Sequence, residues 1–461
     1  LDLNHIKGSK MVRIIPGVEI QVVKEIVPQQ LHPAGIVGLI GPAEKGPILT
    51  PTPTTSYREF AEKFGSNPDY TLTRDAKLCF QNGVAEVFAT RIMAAGGKDA
   101  TLTLKDEKKK DTVRLISKLP GEAGNSIRVV VAKGMSENSV RLEISNGGKM
   151  EIWDNLVMSP ANEFYLVDFL NKNSKLVSAE DLGSSSEFPN NNPAPIEEML
   201  SGGTAGELKK EDYEAALEKL EMEPDIDVVY ACGVSDPAIH AIVDAHCKNM
   251  SRDAKNRIGI GTVASGEDVK SIVKRTEVLA SDRFVLVAPY GVAGAVAGLI
   301  SRLNYFESPT FKPITGISNL ERRYTPAEQM ELIKAGICCL DAIRGRGIVV
   351  VKGITTSGEQ ISVMRVADRA VRGVKNVADN FIGTLNSPGG RMALREKLTE
   401  FLISMEREGA IVPSVDLKHP AFLVDVYCSE MDFAQGIVRV DVAVRPVRAM
   451  DYIYATITVQ A

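Results

Sequence analysis

Residues 226–288 read IDVVYACGVSDPAIHAIVDAHCKNMSRDAKNRIGIGTVASGEDVKSIVKRTEVLASDRFVLVA. Three apolar runs in it, Ile226 to Ala231, Ile258 to Val263 and Phe284 to Ala288, are of strand length and lack a clean polar alternation, as strands covered on both faces do. Between them, Pro237 to Met250 and Ser265 to Leu279 are long enough for crossover helices, and Asp212 to Leu220 supplies another ahead of the first strand. Strands joined by crossovers of this length predict a largely parallel sheet. The fold class that follows is α/β.

Upstream, Gly35 to Ile40 (GIVGLI) reads as one more buried strand. The loop after it, GPAEKGP, invites comparison with a phosphate-binding loop, but that loop needs Gly-Lys-Ser/Thr opening a helix, and here Lys45 is followed by Gly46. Close strand packing and a turn explain Gly35, Gly38 and Gly41 better. Ser56 with Glu59 forms a capping box for the helix SYREFAEKF, which Gly65 stops; a second helix runs through Ala76 to Phe80, and the strand VAEVFATRI follows Asn82-Gly83. From Lys98 to Gly203 the pattern changes to short alternating strands (TLTL, VRLIS, SIRVVVA, VRLEI) and a low-complexity loop at Ser184 to Pro195. In Gly291 to Gly298 (GVAGAVAG) the small residues permit close helix packing.

Downstream, Gly347 to Gly353 (GIVVVKG) is a buried strand, and the strongest helical period in the chain follows it. Val363, Val366, Ala367, Ala370, Val371, Val374, Val377, Ala378, Phe381 and Ile382 form one stripe; Leu394, Leu398, Phe401, Leu402 and Met405 form a second. The strands AFLVDVY and IVRVDVAVR come next. The expected organisation is an α/β multi-domain chain. An N-terminal arm (1–30) precedes an α/β domain (31–97 and 204–357) that carries an inserted mostly-β domain (98–203). A C-terminal α+β domain (358–461) with an extended terminal arm strand completes it.

The 461 residues exceed the size at which one core keeps growing, and 44% hydrophobic with 25% charged residues is an ordinary globular composition. A net charge of -5 with both signs interspersed gives no footprint for nucleic acid. No apolar run of bilayer-spanning length is present, and LDLNHIKGSK lacks the order of a signal peptide, so the expectation is a protein made and kept in a cytoplasm. Cys79, Cys232, Cys247, Cys338, Cys339 and Cys428 form no CxxC pair and read as reduced core thiols. Asp236 and His240 share a helix face, but His246 is turned away from it, so surface or capping histidines are expected and no metal site. Nucleophile elbows, HExxH and a complete dinucleotide fingerprint are missing, so no catalytic or cofactor-binding residues are assigned. The competing reading is a doubly wound α/β enzyme with a small-molecule site at the strand ends.

Both ends of the chain carry strands with little around them. Val18, Ile20 and Val22 alternate with polar residues between Pro16-Gly17 and Pro28; Ile453, Ala455, Ile457 and Val459 alternate with Tyr452, Tyr454, Thr456 and Thr458. Strands this rich in β-branched and aromatic residues need a partner for their backbone groups, in their own sheet or in another subunit. Seven stretches, PGVEIQVVKE, GIVGLIGPAEKGP, LPGEAGNSIRV, LSGGTAG before EDYEAALEKLE, APYGVAGAVAGLISR, ERRYTPAEQMELIKAGICCL with IVVVKGITT, and VRVDVAVRPVRAMDYIYATITVQ, resemble in their order the contractile tail sheath proteins of bacteriophages and phage-tail-like particles. The resemblance spans nearly the whole chain. It implies a non-enzymatic, cofactor-free subunit whose copies form a helical tube around an inner tail tube and contract. Terminal arms pairing with neighbouring subunits, contacts with baseplate and tail terminator proteins, and a place in the tail of a particle assembled in the host cytoplasm are implied with it. A tube-facing surface is expected at Arg365, Arg369 and Arg372, which recur at i, i+4 and i+7.

Overall fold

The computed structural model describes residues 35–94, 97–119, 121–204, 206–223, 225–452 and 454. In chain order the first segment contains β1 (Ile36–Gly41), β2 (Thr52–Thr54), α1 (Tyr57–Phe64), α2 (Thr71–Gln81) and β3 (Glu86–Arg91). The next contains β4 (Thr101–Lys105), β5 (Asp111–Ser117), β6 (Arg128–Lys133), β7 (Val140–Asn146), β8 (Lys149–Leu156), α3 (Leu166–Asn173), β9 (Val177–Asp181) and β10 (Ile196–Met199). After it come α4 (Lys210–Leu220), β11 (Ile226–Ala231), α5 (Pro237–Arg252), β12 (Ile258–Thr262), α6 (Val269–Val278), β13 (Phe284–Ala288), α7 (Ala293–Arg302), α8 (Pro326–Lys334), β14 (Ile337–Ile343) and β15 (Gly347–Val350). The chain closes with α9 (Ile361–Asp379), α10 (Pro388–Arg407), β16 (Phe422–Tyr427), α11 (Glu430–Ala434) and β17 (Arg439–Val444).

An eight-stranded sheet in the order β15-β14-β13-β12-β11-β1-β3-β2 forms the largest layer. Its strands are parallel except β2 and β15, which run antiparallel at the two edges. All six residues of β1 are buried, because helices cover both faces. On one face Phe60, Leu72, Ala76, Val296 and Leu299 bring in α1, α2 and α7. On the other Tyr213, Leu217, Val243, Ile272 and Leu332 bring in α4, α5, α6 and α8. The glycines of GVAGAVAG seat α7 on α2: a Cβ at Gly298 would lie 2.4 Å from the Cys79 carbonyl oxygen, and one at Gly294 2.9 Å from that of Asp75.

Residues between β3 and α4 form two antiparallel sheets, β4-β5-β9 and β10-β6-β7-β8, around one shared core that includes Leu115, Val129, Leu142 and Leu166. Two antiparallel bridges, Lys98 to Thr204 and Thr101 to Ser201, draw the ends of this segment together into a neck.

α9 and α10 pack on each other and on the hairpin β16-β17. Gly373 in the middle of α9 lets them meet, since a Cβ there would lie 1.9 Å from the Phe401 ring. The apolar stripe read from sequence overruns the helix. α9 ends at Asp379, and Val371 and Ile382 are exposed.

Candidate assembly interface

In β16-β17 the pairing runs from Phe422 opposite Val444 to Tyr427 opposite Arg439. Val424, Val426, Val440 and Val442 rest against the helices, while Leu423, Asp425, Tyr427, Arg439 and Asp441 stand on the outer face. Each strand has one strand neighbour among the described residues, so each keeps an outer edge whose backbone groups pair with no strand. Among the described residues only the end of the β17 edge is covered, where Val412 donates to the Arg445 carbonyl at 3.0 Å. A two-stranded sheet is marginal by itself, and Asp425 directly opposite Asp441 weakens it further. The connection is firmer. Ser429 caps α11, and Arg439 reaches back to Asp432 at 2.8 Å, holding that carboxyl down at about 2. More than half of the exposed large apolar side chains among the described residues lie from Val371 onward, including Leu385, Leu423, Met431 and Phe433.

Beyond β17 the chain is tied to the start of α9. Arg448 grips Glu359 through two nitrogens, at 2.9 and 3.2 Å. The Gln360 side chain accepts from the Ala449 amide at 3.0 Å and donates to the Ala449 carbonyl at 3.2 Å and to Asp451 at 2.8 Å. Lys352 lies 3.6 Å from Asp451 and over the Tyr452 ring. Side chains therefore hold residues 448–452 against the start of α9. The strand residues read from sequence, Val18, Ile20, Val22, Ile453, Ala455, Ile457 and Val459, lie outside the described residues.

The arginine stripe is turned inward, which corrects the reading of a tube-facing surface. Arg365 is buried and donates to the carbonyl oxygens of Leu303 and Asn304 at 3.1 and 3.2 Å. Arg369 lies over the Tyr305 ring. Arg372 pairs with Asp227 at the start of β11 and donates to the carbonyls of Ile226, at 2.9 Å, and Asn256. Between them Asp368 accepts from Arg283 and, at 2.8 Å, from Asn256. Spacing along a helix gives a direction around its axis, not what stands there. Here residues 303–305 and the start of β11 stand there, so the stripe seats α9.

Two histidines also depart from expectation, since both are core residues. His240 bonds the Val234 carbonyl and His246 meets the fully buried Arg257 guanidinium at 2.9 Å. Burial pushes His240 down to about 4, and burial with the Arg257 charge pushes His246 down to about 3. Asp236 caps α5 by accepting from the Ala238 amide. All six cysteines are free thiols, and five are buried. The order of the large sheet reverses between β1 and β11, the place where doubly wound enzymes bind ligands. That crevice is filled by the start of α2: Thr71 and Arg74 would lie 2.7 and 2.9 Å from a Cβ on Gly233, and Leu72 3.3 Å from one on Gly41.

The family model of the phage tail sheath protein central domain matches residues 206–356. The tail sheath protein of Staphylococcus phage Twort is 32% identical over 164 residues, which is 32% of this chain and 27% of the relative. That of Bacillus phage SP01 is 24% identical over 428 residues, 85% of this chain and 70% of the relative. The alignment thus spans about a quarter of the first relative's length. Among solved structures, the sheath tail protein from Desulfitobacterium hafniense superposes with a TM-score of 0.67 at 16% identity, covering 89% of this chain and 93% of that one. The helical sheath of the anti-feeding prophage in its contracted state gives 0.58 at 14% identity, covering 97% and 99%. At such identities the structures establish a shared fold. Over its central domain and in these two sequence comparisons, the chain is similar to phage tail sheath proteins.

Proposed function

We infer that the chain is the structural subunit of a contractile sheath, polymerising into a helical tube around an inner tail tube and shortening to drive that tube through a cell envelope. The observation that carries this is the hairpin β16-β17, whose two outer edges have no strand neighbour among the described residues, together with the side-chain clamp on residues 448–452. Tyr452 to Gln460 and Val18 to Val22 are the strands that would occupy those edges in neighbouring copies, by strand addition. A six-residue edge offers about six outward backbone groups, and at about 1 kcal/mol net per hydrogen bond each arm contributes several kcal/mol before its ordering cost. Links of this kind survive a rearrangement of the bodies they join. The enzyme reading loses support because the strand-end crevice is filled. Inner tube, baseplate and terminator proteins are the partners this role requires, in the tail of a virion or tail-like particle. Truncation after Tyr452 keeps the clamp and removes the arm. Circular dichroism of the truncated subunit should match the full chain while negative-stain images lose all tubes; normal tubes would refute the arm's role.

A further inference from the structure

The charge cluster that seats α9 borders a cavity of about 20 Å³, lined among others by Asp227, Tyr305, Arg365, Asp368, Arg369 and Arg372. That is room for one water-sized particle. Both carboxylates on its wall are already engaged: Asp227 by Arg372 and the Gly35 amide, Asp368 by Arg283 and Asn256. Arg365 forms no direct ion pair among the described residues; Asp227, Asp368 and Glu307 act on it only at longer range. It is 6% exposed, its Nη1 donates to two backbone carbonyls, and its Nη2 is buried without an acceptor among the described residues. The Arg372 Nε is in the same position. Two guanidinium donors, on residues that line one small cavity, thus lack acceptors among the described residues, and Arg365 forms no direct ion pair among them, a costly arrangement in a buried place.

We propose that this cavity is a binding site for a single halide-sized anion, chloride in the cell, held by Arg365 and Arg372. An anion accepts from both open donors and gives Arg365 a direct ion pair; a tetrahedral oxyanion is too large for the space. Bound there, it fastens α9 to the amino ends of β11 and β12 and makes the strength of that joint depend on halide concentration.

The test uses the full chain. Crystals grown in sodium bromide should show an anomalous peak in the cavity. In solution at constant ionic strength, replacing gluconate by chloride should raise the unfolding midpoint saturably, and Arg365→Met should abolish the rise. A solvent peak with no anomalous signal, meaning water, overturns the proposal. So does an equal midpoint in gluconate and chloride, including when a bromide peak is seen, which is then an adventitious ion only. Should Arg365→Met fail to fold, the two measurements on the unaltered chain still decide.

Discussion

Replacing Arg372 by methionine keeps much of the side-chain volume and removes its guanidinium from the amino ends of β11 and β12. Three interactions go at once: the ion pair to Asp227 and the bonds to the carbonyls of Ile226 and Asn256. The two ionic side chains are 17% and 16% exposed, so water reaches them only in part. Removing one partner of a fully buried pair costs about 3–5 kcal/mol, and partial access to water places this one near about 3 kcal/mol. Urea unfolding followed by far-ultraviolet circular dichroism measures the loss. A cycle with Asp227→Asn isolates the pair, and its coupling should be about 1–3 kcal/mol. A loss under about 1 kcal/mol in Arg372→Met, with additive effects in the double variant, would refute an ionic seat for α9. The same reasoning sets the outcome for glutamate at Arg365, Arg369 and Arg372 together: the isolated subunit is destabilised, and assembly fails for that reason. A well-folded triple variant that forms sheath and fails only on the tube would restore the outward-facing reading.

Gly298→Ala should cost about 1–3 kcal/mol, because its new methyl meets the Cys79 carbonyl and outweighs the better helix propensity of alanine; equilibrium unfolding checks this, and a neutral result would mean α7 can shift away from α2. Leu398, fully buried between α9, α10 and the hairpin, should cost about 2–5 kcal/mol as alanine, with amide exchange quickening first in β16 and β17; unchanged exchange there would detach the hairpin from that core. The histidines give a pH dependence. Unfolded imidazoles protonate near pH 6.5, whereas folded His240 and His246 resist until about 4 and about 3, so the unfolded chain binds more protons in between and stability falls as pH drops through that window. The slope approaches about 1.4 kcal/mol per pH unit for each histidine, and His246→Asn should flatten it by up to half; an unchanged slope would place the titration elsewhere.

Strands and helices of 226–288 were legible because each crossover announces itself: Pro237 follows the Asp236 cap, and the buried runs between helices are too apolar for loops. Boundaries were less so, since Asp268 rather than Ser265 caps α6. The close contact made by GVAGAVAG could be read from residue size alone, though not that α2 was its partner. β8 was missed because Met150 and Ile152 are exposed on it, and β14 because ICCLDAI has no alternation. The arginines of α9 were misassigned for a different reason: their partners are Asp227, far back in the sequence, and backbone carbonyls that no sequence pattern marks. His240 and His246 were read as surface or capping residues because no sequence pattern marks that Val234 and Arg257 receive them.

The neck at Lys98–Thr204 and Thr101–Ser201 makes the intervening residues, for the rest of the molecule, an oversized hairpin tip. Chain that leaves the body and returns at bridging distance places little demand on what lies between, since loop-closure entropy grows only slowly with length. Cutting at the neck and joining its two sides through a short turn should leave the large sheet and its helices standing. Conversely, a foreign module whose ends lie a strand spacing apart could be mounted there, so that a tube built from such subunits would display one copy per subunit.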